Sequence, residues 1–203
     1  YADYADSAND ETARDEALFH AQAAHNHRQM AALLDHWADD LWERGAHDTL
    51  RRWLVTLPPD VMHVYPKLVI MHGWLLFADG QYDRAADALG RVEQRLDNAT
   101  VAQELWGRIA ATRAFIATFK GDFAGTTQYA KQALDLLSDR RSTWRSSAAI
   151  ALGDAYGLGG APATAGAAYE EALNDSQAAN NIYLALNAGF KLASTQRQRG
   201  LLY

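Results

Sequence analysis

Three histidines in "HAQAAHNH", His20, His25 and His27, are the first residues whose type and spacing invite chemistry. A metal site needs three or four ligands converging on one point. His20 and His27 share a helix face only if a helix runs on through Asn26. The sequence has no "HExxH", no cysteine, and only scattered acids nearby. These histidines therefore read as solvated or capping groups. Asp39, Asp40 and Glu43 could work as an acid–base pair only in a dry cleft that held them apart. On an amphipathic helix they fall on the polar side, which predicts a solvated face. The glycine-rich "GLGGAP" at 157–162 lacks the strand that must precede a phosphate loop, so it reads as a hairpin turn. Asn98 heads an "NAT" sequon and reads as a helix end or cap. This inventory predicts no enzyme and no cofactor.

The elements around these residues are helical. Alanine is abundant, proline occurs four times, 49% of residues are apolar and 22% charged, a composition that favours helix nearly throughout. Apolar residues at helical spacing, with glycine and proline stops, predict helices near 12–24, 27–43, 47–57, 66–78, 82–96, 101–119, 122–137, 143–157, 162–173 and 177–197. Asp48 is placed to cap the third. "SDRRS" and "NDS" read as breaks. Pro58-Pro59 end the third helix, and Pro66 suits the first turn of the fourth. No period-two alternation marks a strand.

The glycines keep time. Gly80, Gly121, Gly160 and Gly200 stand 41, 39 and 40 residues apart, and similar residues follow each: "GQYDRAADAL", "GDFAGTTQYA", "GAPATAGAAY" and "GLLY". A fixed step of this size marks an all-α solenoid of helical hairpins, in which each hairpin buries its apolar face only against its neighbours. The expected shape is a right-handed superhelix with one continuous core. The single glycine is the turn inside a repeat, and the double proline lies in a longer connection between repeats. Residues 1–11 read as a linker or frayed lead-in and 12–203 as one helical-repeat domain, a fragment of a larger protein.

The repeat resembles the tetratricopeptide pattern. Around Gly160 it is carried by Leu152-Gly153, Tyr156, Ala165, Tyr169 and Ala172; around Gly80 by Gly73, Leu76, Tyr82, Ala85 and Leu89; around Gly121 by Ala114, Phe123, Ala130 and Ala133, with Thr126 where alanine is usual. Gly153 and Ala165 are expected to face each other where two helices cross. The step exceeds the ~34 residues typical of that repeat. A narrower likeness follows from Trp53-Leu54, Leu57-Pro58, Pro66, Trp74 and Gly80 in that order: the chain resembles the helical-repeat region of MalT-like regulators, large ATP-binding transcriptional activators ending in a LuxR-type helix-turn-helix. The resemblance implies a cytoplasmic sensor arm that binds an inducer or protein and relays the signal to the regulator's other domains. The chain holds no "GxxxxGK[ST]" loop and no segment like that family's recognition helix.

A net charge of −6 with no basic cluster predicts no direct nucleic-acid binding, and no apolar run reaches membrane-spanning length. What is left is a binding surface. In a tetratricopeptide-like solenoid the first helix of each hairpin lines the concave groove. Trp74, Phe77, Phe115, Phe119 and Phe190 stand on those helices one or more steps from the inferred core positions, with Lys67, Arg108 and Arg197 at neighbouring positions. Aromatic and arginine side chains concentrate binding energy. These eight residues are the candidate contacts for a small-molecule inducer, a protein or a peptide; packing is the competing and stronger reading for the set, and it is further ahead for Trp37, Trp42 and Trp53. The alternative function is a general tetratricopeptide-like adaptor for a peptide or protein, unrelated to transcription.

Overall fold

The computed structural model describes residues 11–96 and 100–200; the expectations for Asn98 and for the 1–11 lead-in lie outside them, except at Glu11, which opens the first helix. All regular structure among the described residues is helical: α1 (Glu11–Ala23), α2 (His27–Glu43), α3 (His47–Leu54), α4 (Pro59–Met62), α5 (Pro66–Ala78), α6 (Tyr82–Glu93), α7 (Thr100–Phe119), α8 (Phe123–Leu136), α9 (Thr143–Leu158), α10 (Pro162–Ala178) and α11 (Ile182–Gln198). Successive helices fold back on one another as hairpins. α9 packs on α7, α8, α10 and α11, and α5 packs on α2, α3, α6 and α7. This is a tetratricopeptide-like helix-hairpin solenoid.

One turn geometry builds the stack. At the end of α5, Gly80 has φ +74°, the left-handed conformation that costs glycine least. Its N–H donates to the Phe77 carbonyl and the Gln81 N–H to the Leu76 carbonyl, each at 2.9 Å, which closes a Schellman motif. The same pair of bonds recurs at Gly45, Gly121 and Gly160, and also at two residues that are not glycine, His25 and Asn180, with φ +53° and +54°. Asn26, Asp122 and Asn181 then cap the next helix through their side chains.

The Asn180 turn corrects the expected break at "NDS". α10 runs through Asn174, Asp175 and Ser176, because the two buried side chains, Asp175 and Ser176, are satisfied inside the fold and Asn174 is exposed. Ser176 Oγ donates to the Ala172 carbonyl at 2.6 Å, and Asp175 accepts from Arg145 Nε at 2.9 Å. Two further corrections concern helix starts. Asp48 lies within the first turn of α3, and the cap position is Ala46, with no side-chain cap. The proline-bearing connection holds a short helix that sequence reasoning did not place, α4, opened by Pro59, while Pro66 opens α5 at the expected first-turn position, where no amide donor is required. α1 stops at Ala23 and Asn26 caps α2, so His20 and His27 stand on different helices.

The core is tightest where side chains are small. Tyr169 of α10 lies flush against Gly153 of α9: a Cβ there would sit 2.4 Å from the Tyr169 ring. Ala165 instead meets Gly157, one turn further on, so the expected Gly153–Ala165 crossing is shifted by a turn of helix. Buried apolar residues form one large cluster from α1 to α9 and two smaller ones toward α11. Leu134 of α8 touches all three and joins them. Trp37, Trp42 and Trp53 are buried in the large cluster.

Candidate recognition surface

The first helices of successive hairpins, α2, α5, α7 and α9, meet along one aromatic seam. At its buried end Trp42 of α2 stacks on Trp144 of α9 with centroids 4.2 Å apart. Trp74 of α5 sets its edge against both, at 5.9 and 5.5 Å, and against Phe115 of α7 at 5.0 Å. Phe77 continues the run to Phe115, Phe119 and Tyr82 at 5.7, 5.3 and 5.8 Å. Exposure rises along the seam. Trp144 is buried, Trp74, Phe77, Phe115 and Tyr82 are half-buried, and Phe119 is 62% exposed. Aromatic pairs in these offset and edge geometries add attraction beyond their buried area, so the seam holds the helices together while leaving one edge to solvent.

A charged hub abuts the buried end. Arg108 of α7 is 7% exposed. It donates to Asp39 of α2 at 2.6 Å and to Glu104, and its guanidinium lies 5.9 Å from the Trp144 ring. Lys67 of α5 donates to the same Asp39 at 3.0 Å. Burial pushes the Asp39 pKa up, but the adjacent Arg108 and Lys67 outweigh it and hold the carboxyl below its ordinary value. Burial likewise opposes the charge on Arg108, and Asp39 and Glu104 more than offset it. One helical turn along α2, Glu43 accepts the Thr143 N–H at 3.1 Å, which seats a carboxylate at the amino end of α9, where helix dipoles favour negative charge. Burial raises the Glu43 pKa despite that bond. The expectation of a solvated acidic face is therefore corrected. Asp35, Asp39 and Glu43 form one stripe turned toward α5, α7 and α9, and Asp40 pairs with Arg14 and Arg44.

Beside the hub opens a cleft of about 750 Å³, lined by Asp39, Glu43, Glu104, Arg108, Asp135 and Arg141 among others, and bounded by the α8–α9 connection and the α10–α11 turn. Arg108 is shared by the cleft and the aromatic seam. Arg108 Nε, Thr143 Oγ1 and Trp144 Nε1 are buried without a hydrogen-bond partner. No group of three or more histidine, cysteine or carboxylate side chains among the described residues is placed to hold a metal ion.

Six of the eight sequence candidates, Lys67, Trp74, Phe77, Arg108, Phe115 and Phe119, come together here. Phe190 and Arg197 do not. They lie on α11 at the far end of the stack, both exposed, and no ring contact joins Phe190 to the seam. Sequence reasoning missed Trp144, Tyr82, Asp39 and Glu43 as members of this surface. The four-residue spacing of Asp35, Asp39 and Glu43 was the available signal, since it marks one continuous face of a helix.

Residues 107–203 match the family model described as the MalT-like TPR region. A curated relative, the HTH-type transcriptional regulator MalT of Cronobacter sakazakii (strain ATCC BAA-894), is 29% identical over 122 residues, which is 60% of this chain and 13% of that protein. The chain thus spans a small part of that relative's length. Among solved structures, the crystal structure of BtubC (BKLC) from P. vanneervenii is similar at 16% identity and a TM-score of 0.45, covering 95% of this chain and 91% of that one. The fold is a tetratricopeptide-like helix-hairpin solenoid, and its second half is similar to the helical region of MalT-type HTH transcriptional regulators.

Proposed function

We propose that this region is the sensing arm of a bacterial transcriptional regulator, and that its inducer or protein partner binds where the aromatic seam meets the cleft. The observation that carries the reading is the graded seam from Trp144 to Phe119, with Arg108 at its junction with the cleft. A recognition site combines apolar area with a few polar groups that fix orientation. The seam supplies the first, and Arg108 and Arg141, which line the cleft, supply the second. A ligand of mixed apolar and acceptor character suits both. Because α2, α5, α7 and α9 all border the site, occupancy changes how these helices sit against one another, which is a route to the regulator's other domains in the cytoplasm.

The test is a ligand screen by tryptophan emission, since Trp42, Trp74 and Trp144 share the seam. A panel of anionic and neutral polar metabolites is titrated into the protein, alongside Phe119→Ala, Phe115→Ala and a remote control, Phe19→Ala. Saturable quenching that weakens in the first two variants and persists in the control supports the reading. Binding that is indifferent to Phe115 and Phe119, or a panel without any binder, removes it.

A further inference from the structure

α6 carries a stripe of positive charge that the repeat does not require. Arg84 and Arg91 stand on it seven residues apart, and Arg95 follows four further on, in the turn that closes the helix. At 3.6 residues per turn the three fall within an arc of roughly 40° and span about 16 Å of the axis. All three are exposed. Counted from the turn glycines, the equivalent positions are Gly125, Gln132 and Leu136 after Gly121, and Thr164, Glu171 and Asp175 after Gly160. The arginines belong to one hairpin, so they do not serve the stacking that all hairpins share.

Their charge is also left over. Around α6 the other cations are matched: Arg51 by Asp79, Lys120 by Asp83 and Arg113 by Glu93. Asp87 lies about 60° round the helix from the stripe. Among the described residues, Arg84 donates to the Gln81 side chain, Arg95 to the His63 carbonyl at 3.2 Å, and Arg91 to nothing. His72 of α5 feels the stripe. Burial and the nearby Arg84, Arg91 and Arg51 hold its imidazole below its ordinary pKa, against Asp79. Arg91 and Arg95 share a small hollow with His63, Pro66, Val69 and Val92. Val64, next to His63 in the chain, is 72% exposed.

We propose that this face docks an acidic helix of another protein, laid antiparallel on α6. Its carboxylates stand at j, j+4 and j+11, opposite Arg95, Arg91 and Arg84, with an apolar side chain beside j packed on Val64. The spacing selects a helix. Steps of four and seven return to one helix face. An extended segment, at about 3.3 Å per residue, would meet the same three points at i, i+2 and i+5, and i+5 faces away. A second copy of this chain does not fit, since no helix among the described residues has acids at j, j+4 and j+11. A duplex does not fit either. It presents phosphate across a face wider than one stripe, and Asp79, Asp83 and Asp87 border this one.

The experiment uses the whole chain and three fluorescein-labelled, alanine-rich peptides of about 20 residues, long enough to populate helix. The first has glutamate at j, j+4 and j+11, and the second has glutamine there. The third keeps three glutamates but moves them to j, j+2 and j+9, off a single face. Anisotropy titration at physiological salt is expected to show saturable binding of the first peptide and at least about tenfold weaker binding of the others. Arg84→Gln with Arg91→Gln should weaken the first by a similar factor, and Arg28→Gln, an exposed arginine on α2, should leave it unchanged. Proton NMR should show the His72 pKa rising when the first peptide binds. Thermal melts of the variants should match wild type, since these side chains are exposed. No saturable binding of the first peptide, equal binding of the third, or indifference to the paired arginine change overturns the proposal. Tighter binding of a DNA duplex, lost in the same paired variant, also overturns it and assigns the face to phosphate.

Discussion

The indole of Trp42 lies 3° from parallel to that of Trp144, although the two residues belong to helices three hairpins' worth of chain apart. Two stacked indoles couple electronically, so the native protein should show an exciton couplet in its far-ultraviolet circular dichroism. Trp144→Phe should abolish the couplet while keeping a cooperative melt. Trp42→Ala, which empties a buried site, should cost about 3–5 kcal/mol. A couplet that survives Trp144→Phe would show that the pair is not stacked in solution.

Gly153→Ala should destabilise the fold by about 1–3 kcal/mol, because its Cβ would run into the Tyr169 ring. Gly90→Ala provides the contrast. It lies on α6 with open space around the added methyl, and it should stabilise by roughly 0.5–1 kcal/mol through helix propensity. Urea melts of the two variants should move in opposite directions.

His25 occupies a left-handed turn position that glycine fills in the equivalent turns. His25→Gly removes a side-chain penalty of about 1–2 kcal/mol and adds unfolded-state entropy of roughly 0.5–1 kcal/mol. The net expectation is a small rise in the urea midpoint, and a fall would mean that His25 makes a compensating contact.

Glu43 and Asp39 should respond to pH with opposite signs. Burial raises the Glu43 pKa in the folded state. As pH climbs from the unfolded value near 4.5 through the folded one, the unfolded chain releases this proton first and stability falls. Glu43→Gln keeps an acceptor for the Thr143 N–H and lacks this loss. Its advantage over wild type should grow through that window and then level off. Asp39, held below its ordinary 3.8 against burial by Arg108 and Lys67, contributes stability that is present above the unfolded value and lost as pH falls through the folded one. Asp39→Asn should therefore be worst near neutrality, at about 1 kcal/mol because solvent screens this half-exposed carboxylate, and converge on wild type in acid. Denaturant melts across pH decide both.

The isolated chain should show no salt-sensitive affinity for duplex DNA. Its net charge is −6, so release of counterions from phosphates has little to draw on. Micromolar retardation in a gel-shift titration at physiological salt would contradict this.

The step of the solenoid was legible because a left-handed turn leaves a mark in residue type: Gly80, Gly121 and Gly160 announce themselves. The turn at Asn180 did not, since asparagine takes glycine's place there and the polar "NDS" ahead of it is satisfied within the helix by Arg145 and a backbone carbonyl. Trp74, Phe77, Phe115 and Phe119 were legible as a set by type and helix. Their convergence with Trp42 and Trp144 was not, because it depends on α2 reaching α9, which local periodicity does not encode. For the same reason Asp39 and Glu43 looked solvated: their partners, Arg108 and Thr143, lie on helices brought near only by the winding of the stack.

A stack whose hairpins touch only their neighbours behaves mechanically as a spring, extending a little at every interface. The clasp made by Glu43 on the Thr143 amide, with the two indoles beside it, ties the third-to-last helix back to the second. The segment from α2 to α9 is then a closed loop that bears tension at the clasp before any interface inside it can stretch. α1, α10 and α11 lie outside the loop, and among the described helices they alone keep the compliance of an open coil.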